Sequence, residues 1–448
     1  MMSENLGCKF IQTVSAMYRK STYIPKVAAD RLGDPIDTYY GVTQGRRSST
    51  NFFTFLIRDM PLAVSSEEFD DFMDPHNCAQ MADDTIIAAE TRISQRNKFD
   101  RIYDFSCDKG QTINVGKTLF INMSKTPDTQ DITCNNDRTL SSLEPGKSVL
   151  YLGMHLYHTN SLKDIIEYNL NKRMFNIARF KSWLEVNENT PFVTKLLVID
   201  NCVLSSILYG FEAWGDLSFI AKRLETIELD LLKSALGVRI STPNNLVYHE
   251  LKRGSITTKL MDRQQKFVDK IKSLDEEEAL VKCLWNKCQH LHICQYYNDL
   301  TNNNYNQDIL NRASTLRTSD KSMDIRYCDL IGLDDNNCIY ESGVIDSFRK
   351  VVSRWRLSNF KLAIETGRYS RPKTERERRI CRTCLVVEDE KHAIFECRLY
   401  NEVRHKYPEI FKPPQTVKTF LNPKSKEDLY NVGKVLFEIE KIQEKFNF

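Results

Sequence analysis

No apolar run in these 448 residues approaches the roughly 20 that a membrane-spanning helix needs. The best attempt, LLVIDNCVLSSILYGF, is broken by Asp200 and Asn201. The opening MMSENLGCKF lacks the basic and apolar regions of a signal peptide, and no internal repeat recurs along the chain. A disulfide framework is missing too, because the thirteen cysteines are odd in number, scattered, and follow no secretion signal. These absences point to a cytoplasmic or nuclear protein with no membrane partner. There, most cysteines serve as small buried hydrophobes unless they bind metal.

What is present is ordinary in bulk and uneven in distribution. Hydrophobic content of 41% and charged content of 27% suit a globular chain, and the length calls for two or three domains. The net charge is only +3, yet between Asp346 and Arg382 twelve Lys/Arg stand against four Asp/Glu, a local +8. A block of that sign is an electrostatic footprint for a polyanion, with a solvated charged face as the plainer reading.

Period and punctuation divide the chain. KFIQTVSAMYRKS has helical spacing, with Phe10, Val14, Met17 and Tyr18 on one side. GVTQGRRSSTNFFTFLIRDM enters an apolar helix through Gly41 and Gly45. CAQMADDTIIAA reads as strand, tight turn and strand, and SQRNKFDRIYDFSCDKG as a helix stopped at Gly110. Residues 126–148 read as a loop or irregular hairpin, and VLYLGMHL (Val149 to Leu156) as a strand containing Gly153. From about Ser161 to Leu274 the period is helical almost throughout, with TKLLVIDNCVLSSILYGFEAW as a central buried helix. NDLTNNNYNQD is a polar linker, and a final helix begins after Ser425 with Asp428 three residues on.

The strongest chemical signal is CRTCLVVEDEKHAIFEC, which spaces Cys381-x2-Cys384-x7-His392-x4-Cys397. Cys381 and Cys384 can grip one metal from a tight turn, while His392 and Cys397 return to it from a short helix or loop. Three thiolates and an imidazole make a closed tetrahedral site of the structural zinc type. The region is too short for a core without such a staple. A rival cluster, Cys283, Cys288, His290, His292 and Cys294, is too crowded to converge on one ion and reads as packing.

Asp83 and Asp84 can be read in two ways. Adjacent aspartates favour turns because they tolerate unusual backbone angles and cap their own amides. Here they end two apolar strands, where carboxylates either pair with cations or bind a hard divalent metal.

The order of the segments resembles the reverse transcriptases of non-LTR (LINE-type) retrotransposons over nearly the whole chain. MADD resembles their Tyr/Phe-Ala-Asp-Asp box, GVTQG the Gly-Val-x-Gln-Gly box before it, and GQTINVGKT the segment after it. YLGMHL resembles the primer-grip strand, and SILYGFEAW, LKSALGV and TPNNLVYHEL look like the thumb. LAIETGRY, the basic run and the Cys-Cys-His-Cys cluster look like the C-terminal knuckle. The resemblance implies an α+β fold: a partial palm over 1–160, a helical thumb over 161–275, a helical and linker region over 276–345, a basic segment with zinc knuckle over 346–410, and a C-terminal helix over 411–448. It implies catalytic Mg2+ ligation by Asp83 and Asp84, with Gln44, Gly45 and Lys117 near nucleotide and template. It also puts Gly153 at the primer, and RNA template, DNA primer and dNTPs as partners.

Three departures accompany it. Met81 replaces the usual aromatic, and Thr50 stands where a proline is common. The family's other metal-binding aspartate lies on a strand upstream of the first helix, where this chain begins. Asp30, Asp34 and Asp37 are poor substitutes, so polymerase activity of this chain alone is expected to be weak. The alternative is a non-catalytic nucleic-acid-binding protein that uses the thumb and knuckle.

Overall fold

The hydrophobic period lengthens near residue 160, and the architecture changes with it. The computed structural model describes residues 8–18, 21–28, 31–38, 47–61, 78–124, 126–275, 280–300, 305–333, 339–340, 345–412 and 415–445. The fold is α+β, with small sheets and many helices in two compact units. The first comprises 1–149 and 157–160, and the second 150–156 and 161–448. No described helix is long and apolar enough to cross a membrane.

The first unit opens with helix α1 (Cys8–Tyr18). Four short strands follow: β1 (Ser21–Tyr23), β2 (Lys26–Ala28), β3 (Arg31–Leu32) and β4 (Ile36–Thr38). β1 pairs antiparallel with β4, and β2 with β3. Asp34 and Asp37 lie here, exposed, with Asp37 accepting from Thr22. Asp30, Gln44 and Gly45 lie outside the described residues.

Helix α2 (Arg47–Ile57) leads to the hairpin of β5 (Cys78–Met81) and β6 (Asp84–Ile87). Its register pairs Cys78 with Ile87 and Met81 with Asp84, so Ala82 and Asp83 form the turn. Cys78 is buried with Ile57, Met60 and Ile102, and Ile87 packs beside them. The alternation of strand side chains therefore sends Asp84 to solvent.

Behind the hairpin, α3 (Arg92–Asp108) starts where the Thr91 hydroxyl accepts from the Ser94 amide. It ends at Gly110, at φ +69°. The 126–148 stretch is more ordered than a loop. Strands β7 (Leu119–Phe120), β8 (Ile132–Thr133) and β9 (Thr139–Ser142) form a sheet in which β7–β9 is parallel and β8–β9 antiparallel. Phe99, Phe120, Ile132 and Leu140 close a small core under it. Buried Asp100 holds the connecting turn by accepting from the Asn135 amide at 3.1 Å.

The continuous strand expected over 149–156 is instead two, β10 (Val149–Tyr151) and β11 (Met154–Leu156). Leu152 and Gly153 turn the chain at φ +45° and +81°. Beyond it the second unit is helical. α4 (Leu162–Arg173) and α5 (Phe175–Val186) precede α6 (Phe192–Val198), which passes through a π-helical stretch, Ile199–Leu204, into α7 (Ser205–Leu208). The expected buried helix is therefore interrupted in its middle and stops before Gly210, whose φ is +76°.

α8 (Ser218–Leu236) buries Leu224, Ile227, Leu231, Leu232 and Leu236 on one face, each contributing about 1.5–3 kcal/mol of hydrophobic burial. It ends at Gly237, which adopts the left-handed region at φ +75°. α9 (Asn244–Glu250), α10 (Ile256–Ser273), α11 (Leu280–Lys287), α12 (His292–Asp299), α13 (Tyr305–Arg317) and α14 (Ser322–Leu330) continue the unit. The Asn-rich linker is thus helical at both ends, Asn298–Asp299 and Tyr305–Asp308. α15 (Asp346–Arg356), α16 (Ala363–Tyr369), α17 (Asn401–Lys406), α18 (Val417–Leu421) and α19 (Lys426–Lys445) complete it. The Ser425 hydroxyl caps α19, accepting from the Asp428 amide at 3.1 Å.

Candidate metal centre

The metal-site sequence begins with a turn that positions two thiols. Ile380 and Val387 form an antiparallel bridge, and within it the Cys381 amide donates to Val386 O while the Leu385 amide donates to Cys381 O, both at 2.8 Å. Leu385 sits at φ +58°, which closes the turn and points Cys384 back toward Cys381. Asp389 then accepts from the His392 amide at 2.9 Å, capping a short π-helix over His392–Glu396. The Cys397 amide closes that helix onto His392 O at 2.7 Å.

The four ligand atoms all lie within 4.8 Å of one another. Cys397 Sγ is 3.7 Å from Cys381 Sγ and 3.8 Å from Cys384 Sγ. A zinc–sulfur bond of about 2.3 Å puts two corners of a tetrahedron about 3.8 Å apart, whereas a disulfide brings sulfurs to about 2.05 Å. The separation is that of ligands around one ion.

The surroundings agree. His392 is 3% exposed, and neither ring nitrogen has a hydrogen-bond partner. A buried imidazole without a hydrogen bond, its Nδ1 3.9 Å from the Glu396 carboxylate, is costly unless a metal takes a ring lone pair. Burial lowers its proton affinity and so favours the neutral ligand form. Burial pushes the Cys397 thiol up to about 12, with the Cys381 and Cys384 sulfurs adding to the rise; a divalent cation would reverse that direction by stabilising thiolate. The residues therefore fit a metal such as zinc, held for structure because four protein ligands leave no open position.

Two supporting groups escaped the sequence reading. Arg404 donates to Cys397 O and Ile394 O, holding the ligand-bearing loop from α17. Asp389 carried a signal, since it stands three residues before His392 at capping spacing. In the rival cluster, Cys294 is buried with Trp285 and Tyr297, and Cys288 packs against them, so these two are core residues.

The basic block is corrected by the structure. Arg349, Arg356 and Arg379 are buried, and Lys350, Arg354 and Arg368 are half-buried in ion pairs with Asp346, Glu440 and Glu365. Exposed are Lys361, Arg371, Lys373, Arg376, Arg378 and Arg382, so about half of the apparent footprint faces solvent. Long Arg side chains satisfy buried carboxylates and carbonyls here, a use that composition does not distinguish from a surface patch.

The other predicted site residues lie on three separate turns. Asp83 and Asp84 are exposed at the β5–β6 turn, where Ala82 adopts φ +55°. Lys117 is exposed on a 3-10 turn, its amide donating to Asn114 O at 3.0 Å. Gly153 is exposed in the β10–β11 turn, anchored from α4 by Arg173, which donates to Gly153 O at 3.3 Å. Among the described residues, the Cys381 cluster is the one group of three or more metal-ligating side chains. Asp83 and Asp84 have no third carboxylate beside them there, and two adjacent exposed carboxylates alone do not fit a pair of Mg2+ ions. No known protein-family model matches this chain, and no curated protein matches it at a significant level.

Proposed function

We propose that this chain is a reverse-transcriptase-type protein of the non-LTR retrotransposon class. In it, residues 1–160 correspond to a partial palm, 161–275 to a thumb, and the metal-stapled C-terminal region to a knuckle. RNA template, DNA primer and dNTPs are the partners this reading requires. The observation that carries it is the Asp83–Asp84 pair, displayed at the exposed tip of a hairpin and followed in chain order by the Lys117 and Gly153 turns.

A second reading, nucleic-acid binding without synthesis, is favoured by one observation. No third carboxylate accompanies Asp83 and Asp84 among the described residues, so weak synthesis by this chain alone is expected.

Primer extension on poly(rA)/oligo(dT) with Mg2+ and dTTP, alongside binding of the same hybrid, tests both. Robust extension that Asp83→Asn abolishes establishes the catalytic reading. Hybrid binding that survives Asp83→Asn without extension establishes the second. A chain that binds neither hybrid nor single strands refutes both.

A further inference from the structure

Beside the metal centre, a cleft of about 710 Å3 opens between α14, α16, the 371–379 segment and residues 389–391. Six cations line it: Arg326, Arg368, Lys373, Arg376, Arg379 and Lys391. Three carboxylates, Asp329, Asp389 and Glu390, line it as well. The two signs are not evenly spread. Arg326 forms a close ion pair with Glu390, Arg368 pairs with Glu365 at 3.3 Å, and Lys391 with Glu396 at 2.9 Å.

The 371–379 wall is different. Arg379, 8% exposed, gives its donors to uncharged carbonyls, Ile364 O and Thr374 O, at 2.8–2.9 Å. Its charge is therefore held in place but not cancelled. Gly367 makes room for it, because a Cβ there would stand 2.7 Å from Arg379 Cγ. Lys373 and Arg376 are exposed and meet no carboxylate in an ion pair among the described residues. A turn fixes this wall: the Thr374 amide donates to Ser370 Oγ at 3.0 Å and to Gly367 O at 3.1 Å. Tyr369, 57% exposed, stands on the same cleft.

The cations also crowd one another. Burial, then Arg368 and Arg376, press Arg326 down to about 10, against the pull of Glu365 and Asp389. An anion entering the cleft relieves that repulsion.

We infer that this cleft is a binding site for the phosphodiester backbone of a single nucleic-acid strand, with Lys373 and Arg376 facing phosphate, Arg379 adding a fixed positive charge to the wall, and Tyr369 stacking on a base. The inference rests on the nucleic-acid reading above and deepens it by assigning the strand a place. An aromatic side chain beside fixed cations is the combination that holds single strands without reading their sequence.

The test is fluorescence anisotropy of the full chain with a labelled oligo(U) or oligo(dT), titrated across salt. Lys373→Ala/Arg376→Ala should weaken binding at least tenfold and reduce the salt slope by about 1.4, since each lost phosphate contact removes about 0.7. Lys441→Ala/Lys445→Ala, an equal loss of exposed charge on α19, should leave affinity within about twofold. Tyr369→Ala should weaken binding with the salt slope unchanged. Bound oligonucleotide should also protect Lys373 of the unmutated chain from acetylation, a readout that needs no folded variant. Affinity that survives the Lys373/Arg376 change, or an unprotected Lys373 in the bound state, overturns the cleft assignment and leaves the nucleic-acid reading standing. No binding by the unmutated chain, or binding of anionic vesicles in its place, overturns both.

Discussion

Glu250 receives both arms of Arg356, a residue 106 positions further along the chain: Arg356 Nε donates to Oε1 at 2.6 Å and Nη2 to Oε2 at 3.1 Å. Tyr327 and Tyr340 donate to the same carboxylate, and Arg356 reaches on to Leu421 O at 2.8 Å. One fully buried ion pair thus ties α9, α14, α15 and α18 together. Glu250→Gln leaves a buried guanidinium without its counter-charge and should cost about 3–5 kcal/mol. Urea unfolding measures it, and a loss under about 1 kcal/mol would show that the pair is peripheral.

The same carboxylate sets a pH dependence. Burial pushes Glu250 up, but Arg356 and the two tyrosine hydroxyls outweigh it and hold the group below its ordinary value. A carboxyl depressed in the folded state stabilises fully above its unfolded value, and that contribution drains away as pH falls through the folded one. The chain should therefore lose stability on acidification below the ordinary glutamate range. Glu250→Gln should flatten that part of the profile, and an unchanged acid limb would assign the loss to other carboxylates.

Metal removal gives a third expectation. Purified chain should carry one zinc by elemental analysis, and Cys397→Ser should lose it. A strong chelator should lower the melting temperature, because binding energy at such sites is folding energy. Cobalt substitution should give the sulfur-to-metal absorption of a tetrahedral thiolate site. Absence of bound metal together with a chelator-insensitive melt would sink the assignment.

Gly153 supplies the fourth. Its φ of +81° lies in the left-handed region, and a Cβ there would approach Tyr209 Cε1 to 2.9 Å. Gly153→Ala should cost at least about 1–2 kcal/mol from backbone conformation alone. Pairing it with Tyr209→Ala should recover the part due to the ring, as a double-mutant cycle would report.

How far the sequence could be read depended on the distance over which each feature is decided. α3, α8 and α19 are local: periodic apolar positions with Thr91, Gly237 and Ser425 at their ends. The Cys381–Cys397 ligands are equally local, since sixteen positions of separation carry the whole motif. The Glu250–Arg356 pair was not legible, because nothing near either residue marks its partner. For the same reason the +8 block looked like surface, although the arginines at 349, 356 and 379 are buried. The β10–β11 turn was half legible: Gly153 drew attention, but Leu152 in a left-handed conformation is not something its side chain advertises.

One further consequence follows from the helices on either side of the metal loop. α15 precedes it and α19 follows it, and the two pack directly on each other, with Gly433 admitting Phe348 where no Cβ would fit. Arg354 on α15 also pairs with Glu440 on α19. The loop is therefore a ring closed at its base. When the ion leaves, the four ligands stay tethered within a bounded volume, and their mutual effective concentration remains high. Metal loss should behave as a local, rapidly reversible opening, with amide exchange rising between about residues 371 and 411 while the helical base stays protected.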